Sequence, residues 1–263
     1  MMSKGQWSRL KGKGPGAYLR YFLDYYRVHT VVAVGVLIFV VYLVVSVAGH
    51  KDIGFQAIFI NAAKQSDDQE VRLSGNFAKY AGIDLSEKQV LINLSEYQTP
   101  GSPIGTQYDM AVAAEVNTQI SLKELDVLVA NAVNFEYYLS LTSFVDLRDV
   151  LTEEQLEEYK DRIYYVDLAA LKKLQKKMAD PQYEYPVVPK EEAVQKEQKT
   201  SYQKPDPAEM EEPVPIGIYM NDAKLIRGEN MYPDTVCVLG FAQNGRRTEL
   251  AVKLLEYLEG KSK

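Results

Sequence analysis

The hydrophobic pattern divides into one long uninterrupted run and a series of short ones. The long run, Val31 to Ala48 (VVAVGVLIFVVYLVVSVA), is uncharged over about eighteen residues, and residues 30–49 together reach the roughly 20 needed to cross a bilayer core. A helix satisfies its own backbone hydrogen bonds in lipid, so this run predicts a transmembrane helix over residues 30–49. The short runs follow other periods. Ile53–Ala62 (IGFQAIFINA), Val90–Leu94 (VLINL) and Asp126–Ala130 (DVLVA) predict buried strands, as do Ile216–Met220 and Thr235–Phe241 further on. Between them, Phe77–Ile83 is closed by a glycine. Met110–Ile120 has an amphipathic helical period, with Ser121 capping a short turn through Leu125. Asn134 stands where an N-cap belongs, before a helical run carrying Phe135, Tyr138, Leu139 and Leu141.

Beyond Leu147–Leu151, Thr152 with Gln155 three residues later has the form of a capping box for a charged helix over Glu153–Arg162. An extended Tyr164–Val166 and a basic helix over Leu168–Ala179 follow. The last helix, Arg246–Glu259, carries an apolar stripe of Leu250, Leu254, Leu255 and Leu258, and Gly260 stops it. This alternation of strands and helices predicts an α/β domain with a largely parallel sheet. One stretch breaks the pattern. Seven of the eleven prolines fall between Pro181 and Pro215, among Lys, Glu and Gln, which predicts an extended, partly disordered surface excursion.

Charge orients the long run. Lys4, Arg9, Lys11, Lys13, Arg20 and Arg27 precede it against a single acid, Asp24, whereas the other flank offers Lys51 beside Asp52. The positive-inside bias places residues 1–29 in the cytoplasm and residues 50–263 outside the cell. Tyr18, Tyr21, Phe22, Tyr25, Tyr26 and His29 recur at helical spacing and suit rings resting at the headgroup level, a solvated helical extension being the alternative. A cleaved signal competes with the anchor, since Ser46-Val47-Ala48 is a passable cleavage site. The apolar run exceeds the usual h-region of roughly 7 to 15 residues, which favours an uncleaved anchor. The run holds no Gly-x-x-x-Gly and no charge, so neither dimerisation in lipid nor transport is indicated.

Composition then narrows the chemistry. The first 50 residues hold six of the 30 basic residues and one of the 36 acidic ones, so the remainder carries a net charge near −11 and makes a poor nucleic-acid partner. The one cysteine, Cys237, lies in an apolar run and reads as a buried thiol without a disulfide. Both histidines, His29 and His50, flank the long run. The rest of the chain therefore lacks the groups for Ser-His-Asp, Cys-His or His-Glu-x-x-His chemistry, and no catalytic residue, metal ligand or cofactor is expected. Asp67, Asp68 and Glu70 miss the calcium-loop spacing and read as a solvated loop. Glu153, Glu154, Glu157 and Glu158 read as a charged helix face. Gly12-Lys13-Gly14-Pro15-Gly16 follows no strand, so it reads as a basic tail drawn to anionic lipid, not a phosphate loop.

In an open α/β sheet, ligands bind at the carboxyl ends of the strands. The residues there are Asn61, Tyr97, Asn131 and Asn134, whose amides and ring can hydrogen-bond and stack on a sugar or peptide. The competing reading is that the asparagines cap helices and turns.

Leu125-Asp126-Val127-Leu128-Val129-Ala130, Asn134-Phe135-Glu136, Phe144-Val145-Asp146-Leu147 and LEEYKDRIYY (Leu156–Tyr165) together resemble the first lobe of bacterial extracellular solute-binding proteins. Ala251–Gly260 is similar to the helix that closes many of them. The resemblance covers most of Ile53–Asp167 and the last forty residues, and its motifs are soft. It implies an external single-lobe domain, related to membrane-tethered forms from clostridia-like bacteria. The second lobe is missing, and a helix stands where a lipidated cysteine is common. The expectation is a single-pass, N-in bacterial membrane protein whose partners are the lipid bilayer and either an unknown protein or a small polar solute. Its role is then non-catalytic binding or scaffolding, with solute sensing or capture as the alternative and a cell-wall enzyme as the third reading.

Overall fold

The computed structural model describes residue 16, residues 27–48 and residues 51–262 except 142, 186, 187 and 244. The basic tail, the aromatic positions Tyr18–Tyr26, His50 and all of the glycine run but Gly16 lie outside the described residues. The chain forms two compact units, residues 1–51 and residues 52–263. In the first, helix α1 spans Arg27–Ala48, 22 residues. Its side chains at 31–43 are all exposed, with Val31 at 67%, Leu37 at 63% and Tyr42 at 67%. Among the described residues no helix is long and apolar enough to cross a membrane. Within α1 the described side chains are those of residues 28–29 and 31–43, fewer than the roughly 20 residues that a crossing needs.

The second unit is built on a six-stranded sheet, ordered β2-β1-β3-β6-β5-β4. The strands are β1 (Asp52–Ile60), β2 (Lys88–Asn93), β3 (Val127–Asn131), β4 (Ile163–Asp167), β5 (Pro213–Tyr219) and β6 (Cys237–Phe241). Pairing is parallel only between β1 and β2 and between β1 and β3. β3 with β6, β6 with β5 and β5 with β4 all run antiparallel. The sheet is therefore mixed rather than largely parallel. Parallel neighbours need a crossover, and helices α2 (Gln69–Ala81) and α3 (Gln107–Ser121) supply it between β1, β2 and β3. The later strands enter with alternating direction.

Residues alternate faces along each strand, and the two faces feed two cores. Phe55, Ala57, Phe59, Val127, Val129, Leu239 and Phe241 pack with Leu73 and Phe77 of α2 and with Leu254, Leu255 and Leu258 of the last helix, α9 (Thr248–Glu259). Ile58, Ile60, Leu128, Ala130 and Val238 pack with Val112 and Val116 of α3 and with Phe135 and Tyr138 of α4 (Ala132–Ser140). Helices thus cover both faces. The connection from α4 to β4 runs through α5 (Glu153–Tyr159), β4 leads directly into α6 (Leu168–Met178), and the short α8 (Lys224–Gly228) joins β5 to β6.

Local signals decide where these elements stop. Thr106 and Asp109 close a capping box on α3, and Thr152 with Gln155 closes the expected one on α5. Gly82 and Gly260 end α2 and α9 in the left-handed region, at φ 76° and 75°. Ser121 does not start a new turn: it is the last residue of α3, and its hydroxyl donates back to the Asn117 carbonyl at 2.8 Å. Asn134 does not cap α4 either, because that helix begins at Ala132 and Asn131 holds the cap position.

The proline-rich stretch departs furthest from expectation. It contains helix α7 (Lys190–Glu197) and the first residues of β5, and Ala193 is fully buried. Its docking depends on Gly101, which adopts φ 72°. A Cβ there would stand 2.5 Å from the Ala193 Cβ and 3.0 Å from that of Val188. Only glycine combines that backbone with that approach.

Candidate functional site

The carboxyl ends of β1 and β3 meet the loop that follows β2, and there three of the four residues singled out by sequence come together. Asn61 leaves β1 in the left-handed region at φ 59°. Its Nδ2 donates to the Gln98 carbonyl at 2.7 Å and to Asn131 Oδ1 at 3.0 Å, and its Oδ1 accepts from the Gln98 N–H at 2.7 Å. Asn134 Nδ2 donates to the same Gln98 carbonyl at 3.0 Å. The Gln98 side chain reaches back to the Pro103 carbonyl at 2.9 Å. Gln98, Asn131 and Asn134 are fully buried. Tyr97 does not join them: it stands 47% exposed, so the strand-end loop turns the ring away and its neighbour Gln98 inward.

Glu197, the last residue of α7, closes this knot. Asn131 Nδ2 donates to its carboxylate, and only 3% of the residue is exposed. Burial pushes its carboxyl up to about 7, with the Asn131 hydrogen bond opposing the shift. No ion pair among the described residues includes it. The backbone around it is stitched to the sheet. The Val236 N–H donates to the Glu197 carbonyl at 2.8 Å, the Lys199 N–H to Asp234 at 3.0 Å, and the Val188 N–H to Gly101 at 2.9 Å. Residues 188–199 therefore form a plug over the strand ends. Asn61 and Asn131 and the amide nitrogens of Gln98 and Asn134 are spent on one another, on backbone and on Glu197, whereas the buried Gln98 Oε1 and Asn134 Oδ1 accept no hydrogen bond among the described residues.

Two further groupings of charge have structural explanations. At the opposite end of β3, the buried Asp126 carboxylate accepts from the Gln56 N–H at 2.9 Å and from Arg247 Nε at 2.9 Å. Burial raises its carboxyl despite those partners. The same guanidinium donates to the Ile53 and Glu124 carbonyls at 3.0 and 2.6 Å, so it ties the start of β1 and the loop before β3 to the start of α9, beside a recess of about 150 Å³. The pair, Asp126 buried and Arg247 partly so, fixes the geometry of the chain around it. Of the acids expected in a solvated loop, Glu70 instead stands in the first turn of α2, where it accepts from the Leu94 N–H at 2.7 Å and from Ser95 Oγ at 2.8 Å while pairing with Lys64 at 3.0 Å. Its carboxylate joins the start of α2 to the end of β2. Among the described residues no group of three or more His, Cys, Asp or Glu is placed to hold a metal ion.

Sequence reasoning missed Gln98 and Glu197. Gln98 carried a signal, since it follows Tyr97 in a loop already assigned to the strand ends. Glu197 carried none: it sits among lysines and glutamines in a stretch with no apolar period. No protein-family model, curated protein or solved structure matches the chain.

Proposed function

We propose that this chain is a single-pass, membrane-anchored, non-catalytic binding or scaffold protein, with α1 in the bilayer and residues 52–263 as a folded external domain serving a membrane complex. The observation that carries the non-catalytic reading is the closed knot of Asn61, Gln98, Asn131, Asn134 and Glu197, which leaves the usual ligand position of an α/β sheet filled by the chain itself. The anchor rests on sequence read over the whole of α1. Its 22 residues rise about 33 Å, enough for a hydrocarbon core, and no charge interrupts Val31–Ala48. The likeness to one lobe of a solute-binding protein belongs to the same proposal.

A second reading, capture of a polar solute, is favoured by the convergence of three asparagines under a plug that a single carboxylate holds. The two readings differ in what the plug is for.

Membrane extraction tests the anchor. The full chain is expected to pellet with membranes, resist alkaline carbonate and enter solution with nonionic detergent. Recovery in the carbonate supernatant overturns the anchor.

A further inference from the structure

A second recess, about 200 Å³, opens at the carboxyl end of β5, between the start of β4 and the turn after α7. Arg162, Lys199 and Lys204 line it against one acid, Asp222, in a domain that is otherwise strongly acidic. Arg162 has a carboxylate partner, Glu259, at 2.9 Å. The lysines have none. Lys199 Nζ donates to the Pro233 carbonyl at 2.7 Å, and Lys204 Nζ donates to the Asp161 carbonyl at 3.3 Å while standing 4.7 Å from the centre of the Tyr219 ring. No ion pair among the described residues includes either ammonium.

Two phenols complete the wall. The Tyr202 and Tyr219 hydroxyls lie 3.1 Å apart. Burial pushes both up, Tyr219 to about 12, so each keeps its proton at neutral pH. One hydrogen bond between them uses one of the two hydrogens and leaves the other for an acceptor. Asn221 is held in place, its amide donating to the Thr235 carbonyl at 2.8 Å and accepting from the Cys237 N–H at 2.9 Å, with one Nδ2 hydrogen left over. The recess thus presents two ammonium groups and a hydroxyl donor and is small beside sites for drug-sized ligands, which run to roughly 300–1,000 Å³.

We propose that this recess binds an oxyanion, the phosphate or carboxylate of a small organic anion, through charge-assisted hydrogen bonds from Lys199 and Lys204 and a neutral one from the tyrosine pair. The inference is independent of the anchor and of the scaffold role. Lys199, Tyr202 and Lys204 all follow directly on α7, and Lys199 is two residues from Glu197. An anion held here therefore pins the end of the plug.

The test uses the detergent-solubilised full chain, melted and digested with trypsin in the presence of inorganic phosphate, glycerol phosphate, citrate or a short-chain phosphatidic acid. At least one of these is expected to raise the melting temperature and to slow cleavage after Lys196, Lys199 and Lys204. Shifts with glycerol phosphate or citrate point to a free metabolite, and a shift with phosphatidic acid alone points to a lipid headgroup. In Lys199→Gln/Lys204→Gln the melt should show affinity lowered about tenfold or more, whereas Lys172→Gln/Lys173→Gln keeps the shift. Should the double variant melt early without ligand, Lys204→Gln alone, on the exposed rim, reads the same loss. Failure of every anion to move the wild-type melt, or a full shift in the lysine variants, overturns the proposal.

Discussion

Gly217 and Gly240 face each other across β5 and β6 and leave the space in which Phe135 and Phe144 stack, ring centres 4.3 Å apart and 10° from parallel. A Cβ on Gly240 would meet the Phe144 ring at 2.5 Å, and one on Gly217 would meet Phe135 at 3.0 Å. Gly240→Ala is expected to destabilise the domain by about 1–3 kcal/mol, the usual cost of overpacking, as read from a lower urea midpoint. Sequence named Phe135 as core because it recurs with Tyr138 and Leu139 at helical spacing. Nothing in the sequence linked it to two glycines 82 and 105 residues away. The site residues divide in the same way. Strand ends marked Asn61 and Asn131, because the position of a strand end is a local property. Which of Tyr97 and Gln98 points inward depends on the path of the loop, and there the larger, more conspicuous side chain misled.

At the scale of elements, the strand cores, the Thr152–Gln155 box and the closing glycines Gly82 and Gly260 were legible because they rest on contacts three or four residues apart or on a period of two, whereas Ser121 and Asn134 were misplaced as caps. The direction of β4, β5 and β6 was not, since a buried strand carries the same residues whichever way it runs. The plug was hidden for another reason. α7 is short and mostly polar, and it is held by a buried Ala193, a glycine in a distant loop and one carboxylate, none of which makes a pattern. That carboxylate gives the plug a pH dependence. Glu197 rises from 4.5 to about 7, so its contribution to stability is full below pH 4.5 and is lost as pH climbs through about 7. The groups facing it do not titrate in that window. Burial holds Tyr232 protonated, and Asn131, which donates to the carboxylate, is neutral. The plug should therefore loosen between pH 5 and pH 8. Glu197→Gln, which keeps an acceptor for Asn131, should remove that dependence and add on the order of 2 kcal/mol at pH 8. Hydrogen exchange at the amides of Val236 and Lys199 measures it directly; equal slopes with pH in the two proteins would refute the assignment.

The whole molecule comprises an apolar helix and an α/β domain whose strand-end site is filled by its own chain. The α/β class was legible, because alternating short strands and amphipathic helices admit few arrangements. The closure was not, because it joins residues 61, 98, 131, 134 and 197 through side-chain bonds spanning up to 70 positions of sequence. Whether these amides are structural or a solute site is decided by the thermal unfolding of the full chain with a panel of sugars, amino acids and short peptides. A solute at 100 times its dissociation constant would add about 2.7 kcal/mol, well within the resolution of a melt. No shift that depends on the knot is expected. A shift that disappears in Asn131→Ala yet survives in Lys199→Gln/Lys204→Gln would contradict it and establish capture of that solute under the plug.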